Sequence, residues 1–467
     1  MAPNVTVWQD DPESRLALVQ VEAPDLGQPP LPLQIADAPA PALYDPNTAE
    51  FRYWDAAAAL KRGAVFWGSL APGIAWQPGA SLPVILDGGV DLNAFYDRQA
   101  LNFFHDTVDG KTVFSGESPD IVCHELGHAV LDALRPELFD AANLETPAFH
   151  ESFGDMSAIL TALRVPELRA SIAGETGGHI DRNSELSRLA EQLGAAIRQR
   201  SPDAVDSDCL RNAANSFIYH DPLTLPTSGP AAMLSQEPHS LSRVFTGAFL
   251  EALAGMALII SPNPGADDLA SAGEEMGKLL VAAVRTAPVV PEFYSQVAAA
   301  LIQADAGKGG RFAPALKSAL VRRGILSPEN AVATGFFQVA ASSVSVAAMA
   351  HAVGPERVTQ LPLQAVGAAQ YGLGNTPLFV HVPAQLRRVV ALAAATGGGS
   401  ATPPSSDEAA RAFLEHLMRL GRVDFGPHGT PGAVITHPRA RKTHVIQSLD
   451  GGSLVLRRKL FYCGFCG

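Results

Sequence analysis

The sequence predicts an α+β fold. Strand-forming segments, Leu82-Pro83-Val84-Ile85-Leu86 and Ala94 to Phe104, lie on either side of an Asp87-Gly88-Gly89 turn. From Glu145 the chain turns helical, with apolar helices expected from Leu241 and near 267–286, 291–305 and 312–323. Between the two parts runs one apolar helix that carries two His and a Glu. The chain thus divides into a Pro-rich arm over 1–50, an α+β part over 51–145, a helical part over 146–326 and a C-terminal extension over 331–467.

The bulk properties fit this division. At 467 residues the chain has room for two or three packed units. Its 47% apolar and 17% charged residues are those of a globular protein. A net charge of −13 argues against a nucleic-acid partner. Four Cys do not make a disulfide framework at this length. Glu251 interrupts the apolar run 244–260, and 334–350 carries several Ser and a Gln, so no membrane span is expected. Residues Met1 to Asp11 have neither a basic stretch nor an apolar core. No secretory signal is expected there, and the default location is the cytoplasm, with export by another route as the alternative. Oligomeric state is not set by the sequence.

The elements follow in order. Residues 21–50, with Gln28-Pro29-Pro30-Leu31-Pro32, read as an extended surface arm. Tyr53 to Trp67 reads as a helix. Ser118-Pro119-Asp120 is a helix start: Ser at the N-cap, Pro at the first helical position and an acid in the first turn. The helix should stop near Arg135-Pro136. Thr146-Pro147 reads as the next start, and Glu185 to Leu189 as a short helix in a polar insertion. Beyond 331, two strands are expected within Val358 to Val382, a linker over 396–406, a helix over Glu408 to Leu420, and a hairpin around Asp450-Gly451-Gly452. The chain ends in Cys463-Gly464-Phe465-Cys466, half a metal site or a possible disulfide, or an inert tail.

The chemistry sits on the helix after Ser118. Cys123-His124-Glu125-Leu126-Gly127-His128 contains His-Glu-x-x-His. Residues four apart share a helix face, so His124 and His128 can hold one metal ion. Glu125 then stands where a water at that metal would be, as a base for attack on a carbonyl. The next helix carries Glu151 and Asp155, again four apart. Glu151 is assigned as the third zinc ligand. Asp155 is assigned as the carboxylate that holds a ligand imidazole, that of His124.

On His-Glu-x-x-His followed by Glu-x-x-x-Asp, the chain resembles the thermolysin-like zinc metallopeptidases of the gluzincin group. The resemblance spans residues 51–326 and implies a two-lobed fold with a zinc cleft between a mixed α/β lobe and a mainly helical one. It implies hydrolysis of peptide or protein substrates. Asp91-Leu92-Asn93-Ala94-Phe95-Tyr96 resembles the family's edge strand, so Asn93 and Ala94 are expected to bind the substrate chain. Cys209-Leu210-Arg211 resembles the family's Leu-Arg, so Arg211 is expected to hold a substrate carbonyl. Glu237-Pro238-His239-Ser240 resembles its Gly-Val-His, so His239 is expected to donate to the oxyanion.

Three departures stand out. Phe139 aligns with a family Tyr that supplies a second oxyanion donor. Leu234 stands where the family has the Asp that orients the oxyanion His, and Glu237 is the nearest acid. No acidic cluster for paired calcium ions follows Asp155; Asp120 matches one calcium ligand, and one carboxylate is not a site, so calcium is left unassigned. Three functions are consistent with this pattern: a zinc endopeptidase, a narrow-specificity processing peptidase of one partner protein, and a zinc-bound scaffold with weak or no turnover.

Overall fold

A computed structural model describes residues 3–28, 30–328, 330–332, 334, 361–367, 369–383, 405–428, 440–449 and 451–464. The first part holds strands β1 (Asn4–Val7), β2 (Val19–Glu22) and β3 (Leu33–Ile35), then helix α1 (Ala49–Leu70). Strands β4 (Leu82–Ile85), β5 (Ala94–Tyr96), β6 (Leu101–Phe103), β7 (His105–Val108) and β8 (Lys111–Phe114) follow. Next come helices α2 (Pro119–Leu134), α3 (Glu145–Ala162) and α4 (Pro166–Thr176), strand β9 (Arg188–Leu189), α5 (Glu191–Arg200) and β10 (Arg211–Asn212). Helices α6 (Pro238–Ile260), α7 (Ala266–Thr286), α8 (Phe293–Ala306) and α9 (Ala313–Arg322) complete the helical part. The C-terminal region contributes β11 (Leu363–Val366), β12 (Leu378–His381), helix α10 (Ser406–Arg419), β13 (Val423–Asp424), β14 (His444–Ser448), β15 (Leu454–Arg458) and β16 (Phe461–Tyr462).

The central sheet has the order β16-β5-β6-β4-β3. Its β3–β4 and β4–β6 pairs are parallel, and its β5–β6 and β16–β5 pairs antiparallel. Residues 1–50, expected as an arm, therefore supply an edge strand and the β1–β2 hairpin. The Pro-rich composition hid this because an edge strand tolerates Pro beside it. The last described residues supply the opposite edge. A second sheet, β11-β12-β15-β14-β13, stands apart with its own apolar core around Val380, Phe413, Leu414, Ile446 and Leu456. It packs on Ala142 and Leu144 in the α2–α3 connection.

Local chemistry sets the helix that carries the motif. The Ser118 hydroxyl accepts from the Ile121 amide and donates to Asp11 Oδ2 at 2.7 Å, so the α2 cap is tied to the N-terminal segment. The helix ends at Arg135, before Pro136, as expected. Helix α3 begins at Glu145, earlier than the Thr146 start expected, because the Asn143 side-chain Oδ1 accepts from the Thr146 amide at 2.7 Å. Glu185 to Leu189 is not a helix: Arg188 and Leu189 pair with β10 instead, and the helix starts at Glu191. Among the described residues, α6 is long and apolar enough to cross a membrane. Most of it is buried in the core, and its Glu251 is neutralised by Arg323 at 2.7 Å. The linker expected over 396–406 lies mostly outside the described residues, as does Cys466.

Candidate metal centre

Helices α2 and α3 pack closely because small residues face each other at the crossing. A Cβ on Gly127 would come within 3.0 Å of Gly154 Cα, and a Cβ on Gly154 would meet the His124 ring at 2.6 Å. This approach brings the two motifs together. His124 Nε2 and His128 Nε2 lie 3.4 and 3.7 Å from Glu151 Oε2. The three side chains are buried, and one donor atom from each falls within 4.8 Å of the others. That set is compatible with a metal ion. These three donor atoms, and both carboxylate oxygens of the neighbouring Glu125, are buried with no hydrogen-bond partner among the described residues. Buried polar atoms left this way cost free energy, on the order of 1–3 kcal/mol each, unless something binds them.

The surrounding groups hold the ring. Asp155 Oδ1 lies 3.1 Å from His124 Nδ1 and accepts from Arg211 Nη2 at 2.8 Å, and Thr246 Oγ1 donates to Oδ2 at 3.3 Å. Burial alone would raise the Asp155 carboxyl, but the charge of Arg211 and the contact with His124 outweigh it and hold it well below the usual range. Arg211, expected to meet a substrate carbonyl, is thus bound into the wall of the site by an ion pair. Burial lifts the Glu125 carboxyl well above its ordinary range.

His128 has a partner that the sequence reading missed. Its Nδ1 faces His150 Nδ1 at 3.0 Å. Burial, then the neighbouring imidazoles, holds His128 far below the usual imidazole value, and burial does the same to His150. Both rings are neutral at pH 7, so one Nδ1 carries the shared hydrogen and the other accepts it. The signal was present in the His150-Glu151 pair, but the contact crosses between helices and has no spacing rule.

On the far side of Glu151 stands His239, in the first turn of α6. Its Nε2 is 3.3 Å from Glu151 Oε2, and its Nδ1 is 2.8 Å from Glu237 Oε1. Glu237, rather than Leu234, is thus the acid that meets the His239 ring. Burial pushes its carboxyl up, but His239 pulls it down to about 2, so it is ionised. Phe139, aligned with a family Tyr, is buried against Phe461 and lies under the Arg98 guanidinium, 4.0 Å from its ring centre. An open cavity of about 340 Å³, bounded in part by Arg211, Glu237, His239 and Arg243, adjoins the site.

Asn93 and Ala94 are buried at the start of β5, the strand that was expected to receive a substrate. It is already paired within the chain. Phe461 and Tyr462 of β16 face Tyr96 and Phe95, and the Cys463 amide donates to Ala94 O at 2.8 Å. Asn93 Oδ1 caps the Ala94 amide at 2.9 Å.

Carboxylates do gather near Asp120, though not after Asp155. Asp10 and Asp11 from the N-terminal segment and Glu191 stand near it, with Glu185 near Asp10, and burial with this crowding raises Asp10 and Asp120 well above the carboxylate range. These acids come from segments far apart in sequence, so no local acidic motif marks them.

No protein-family model and no curated protein matches the chain. Among solved structures, it is similar to the precursor of protealysin, a metalloproteinase from Serratia proteamaculans. The match has 15% identity and a TM-score of 0.42, and it covers 69% of this chain and 88% of the other.

Proposed function

We propose that the chain is a zinc-dependent endopeptidase of the thermolysin-like kind, with His124, His128 and Glu151 as metal ligands. One observation carries this reading: three buried, unpartnered donor atoms converge beside the Glu125 carboxylate. Two imidazoles and a carboxylate are a donor set that zinc takes in catalytic sites. Zinc held there would supply Lewis acidity, activating water and polarising a carbonyl. Glu125 takes the proton of the attacking water and passes it to the leaving amine. His239, aimed by Glu237, donates from Nε2 to the oxyanion. Asp155 and His150 fix the rings of His124 and His128. The substrate backbone would align on β5 as an added strand once β16 is displaced from it.

Two outcomes test these roles. His239→Ala lowers kcat by about 10²–10³ and leaves KM within a few-fold, read by steady-state peptide hydrolysis. An unchanged kcat removes His239 from the oxyanion role. His150→Ala weakens zinc binding by about 10–100-fold, read by competition with a chelator of known affinity. Unchanged affinity would show that His128 is aimed by packing alone.

A further inference from the structure

The proposal concerns the end of the described chain and rests on the metal-centre reading above. Cys463 is buried, and its Sγ lies within 4.8 Å of donor atoms from His124 and Glu125, which are likewise within that distance of each other. Arg211 Nη2 donates to the same sulfur at 3.6 Å. The backbone before it runs as a strand on β5. Tyr462 O sits 2.5 Å from His239 Nε2, the nitrogen assigned to the oxyanion. Phe461 is buried and stacks on His150, with ring centres 3.9 Å apart and planes 17° apart, and the Arg458 guanidinium lies 4.1 Å from its ring centre. Gly464 passes against Asn93 so closely that a Cβ there would lie 2.4 Å from Asn93 Oδ1, and it lines the open cavity.

We infer that Cys463 is a further ligand of the metal centre and that residues 461–464 occupy the cleft as a built-in substrate mimic, keeping the chain latent. Three independent features agree. The segment uses the antiparallel backbone pairing that a peptide substrate would use. It presents a carbonyl to the oxyanion donor. At the point of attack it offers a sulfur, which zinc accepts and which cannot be hydrolysed. The buried, unpartnered atoms of His124, His128, Glu151 and Glu125 are the second observation that makes this more than a lone cysteine. Coordination is a ligand exchange without redox change: the thiol releases its proton to solvent, the sulfur takes one metal position, and one water leaves. Displacing the segment reverses each step. A second strand competing for β5 would release it, and so would a reagent that captures the thiol.

The test uses full-length protein loaded with cobalt(II) or zinc. Wild type loaded with cobalt shows a near-ultraviolet sulfur-to-cobalt charge-transfer band, and Cys463→Ser loses it while keeping the metal. Zinc-loaded Cys463→Ser hydrolyses a mixed peptide substrate roughly 10–100-fold faster than wild type, as when a competent fraction of about 1–10% becomes the whole population. Treating wild type with an organomercurial removes the band and raises the rate without any mutation. Metal-loaded wild type without the band overturns the ligand assignment. Equal rates in wild type and Cys463→Ser overturn latency. Loss of residues 463–467 from the intact mass of zinc-loaded wild type also overturns it, because the segment would then be a substrate. A band that depends on Cys463, with no hydrolysis by either form, upholds the ligand assignment and overturns the peptidase reading instead.

Discussion

Glu151→Ala lowers zinc affinity by more than about 100-fold, beyond what loss of an outer hydrogen bond costs. Glu151 is the one carboxylate whose Oε2 faces His124, His128 and His239 together, at 3.4, 3.7 and 3.3 Å. Removing it leaves two imidazoles, too few to hold a catalytic zinc. It also removes a carboxylate that faces the buried rings of His124 and His128 and the partly buried ring of His239, so part of any lost stability comes from unpaired imidazoles rather than from zinc. Measuring the thermal stability of the metal-free protein beside its zinc affinity separates the two effects. An affinity within a few-fold of wild type would take Glu151 out of the ligand set.

Glu125→Gln keeps the metal and loses about 10²–10⁴ in turnover, the range for removing a general acid–base group. The substitution replaces one carboxylate oxygen by an NH2 group and preserves volume in a fully buried position, so the helix packing stands. Placed on a Cys463→Ser background, the comparison is free of the occupied cleft. Metal content measured on the same samples distinguishes lost chemistry from lost zinc. Normal turnover in the double variant would show that Glu125 is not the base.

What could be read from the sequence was local. The cap at Ser118-Pro119-Asp120 and the stop at Arg135-Pro136 are one-turn signals, and they mark α2 where it lies. His124 with His128, and Glu151 with Asp155, are visible because four residues make about one helical turn. The meeting of the two pairs could be guessed only by resemblance, since it depends on Gly127 passing Gly154. What was not legible is contact between distant segments. His150 works across helices. Strand β3 pairs with β4 from inside a Pro-rich stretch. Cys463 meets Arg211 from 252 residues away, and its Cys-x-x-Cys context, read as half a metal site, a possible disulfide or an inert tail, gave no sign of which segment it would meet. The C-terminal region reaches that position because Arg457 and Arg458 anchor on Asp140 and Phe139 in the α2–α3 connection, at 3.3 and 2.9 Å. That connection is the docking site for the second sheet.

The central claim is that one metal at His124, His128 and Glu151 cuts peptide bonds. The most direct measurement exposes a broad peptide library to zinc-loaded Cys463→Ser protein, with and without a chelator, and identifies products by mass spectrometry. The account predicts cuts at internal bonds with a shared residue preference, abolished by the chelator and restored by added zinc. Stoichiometric zinc with no cut anywhere in the library, or cuts that persist after the metal is removed, would contradict it.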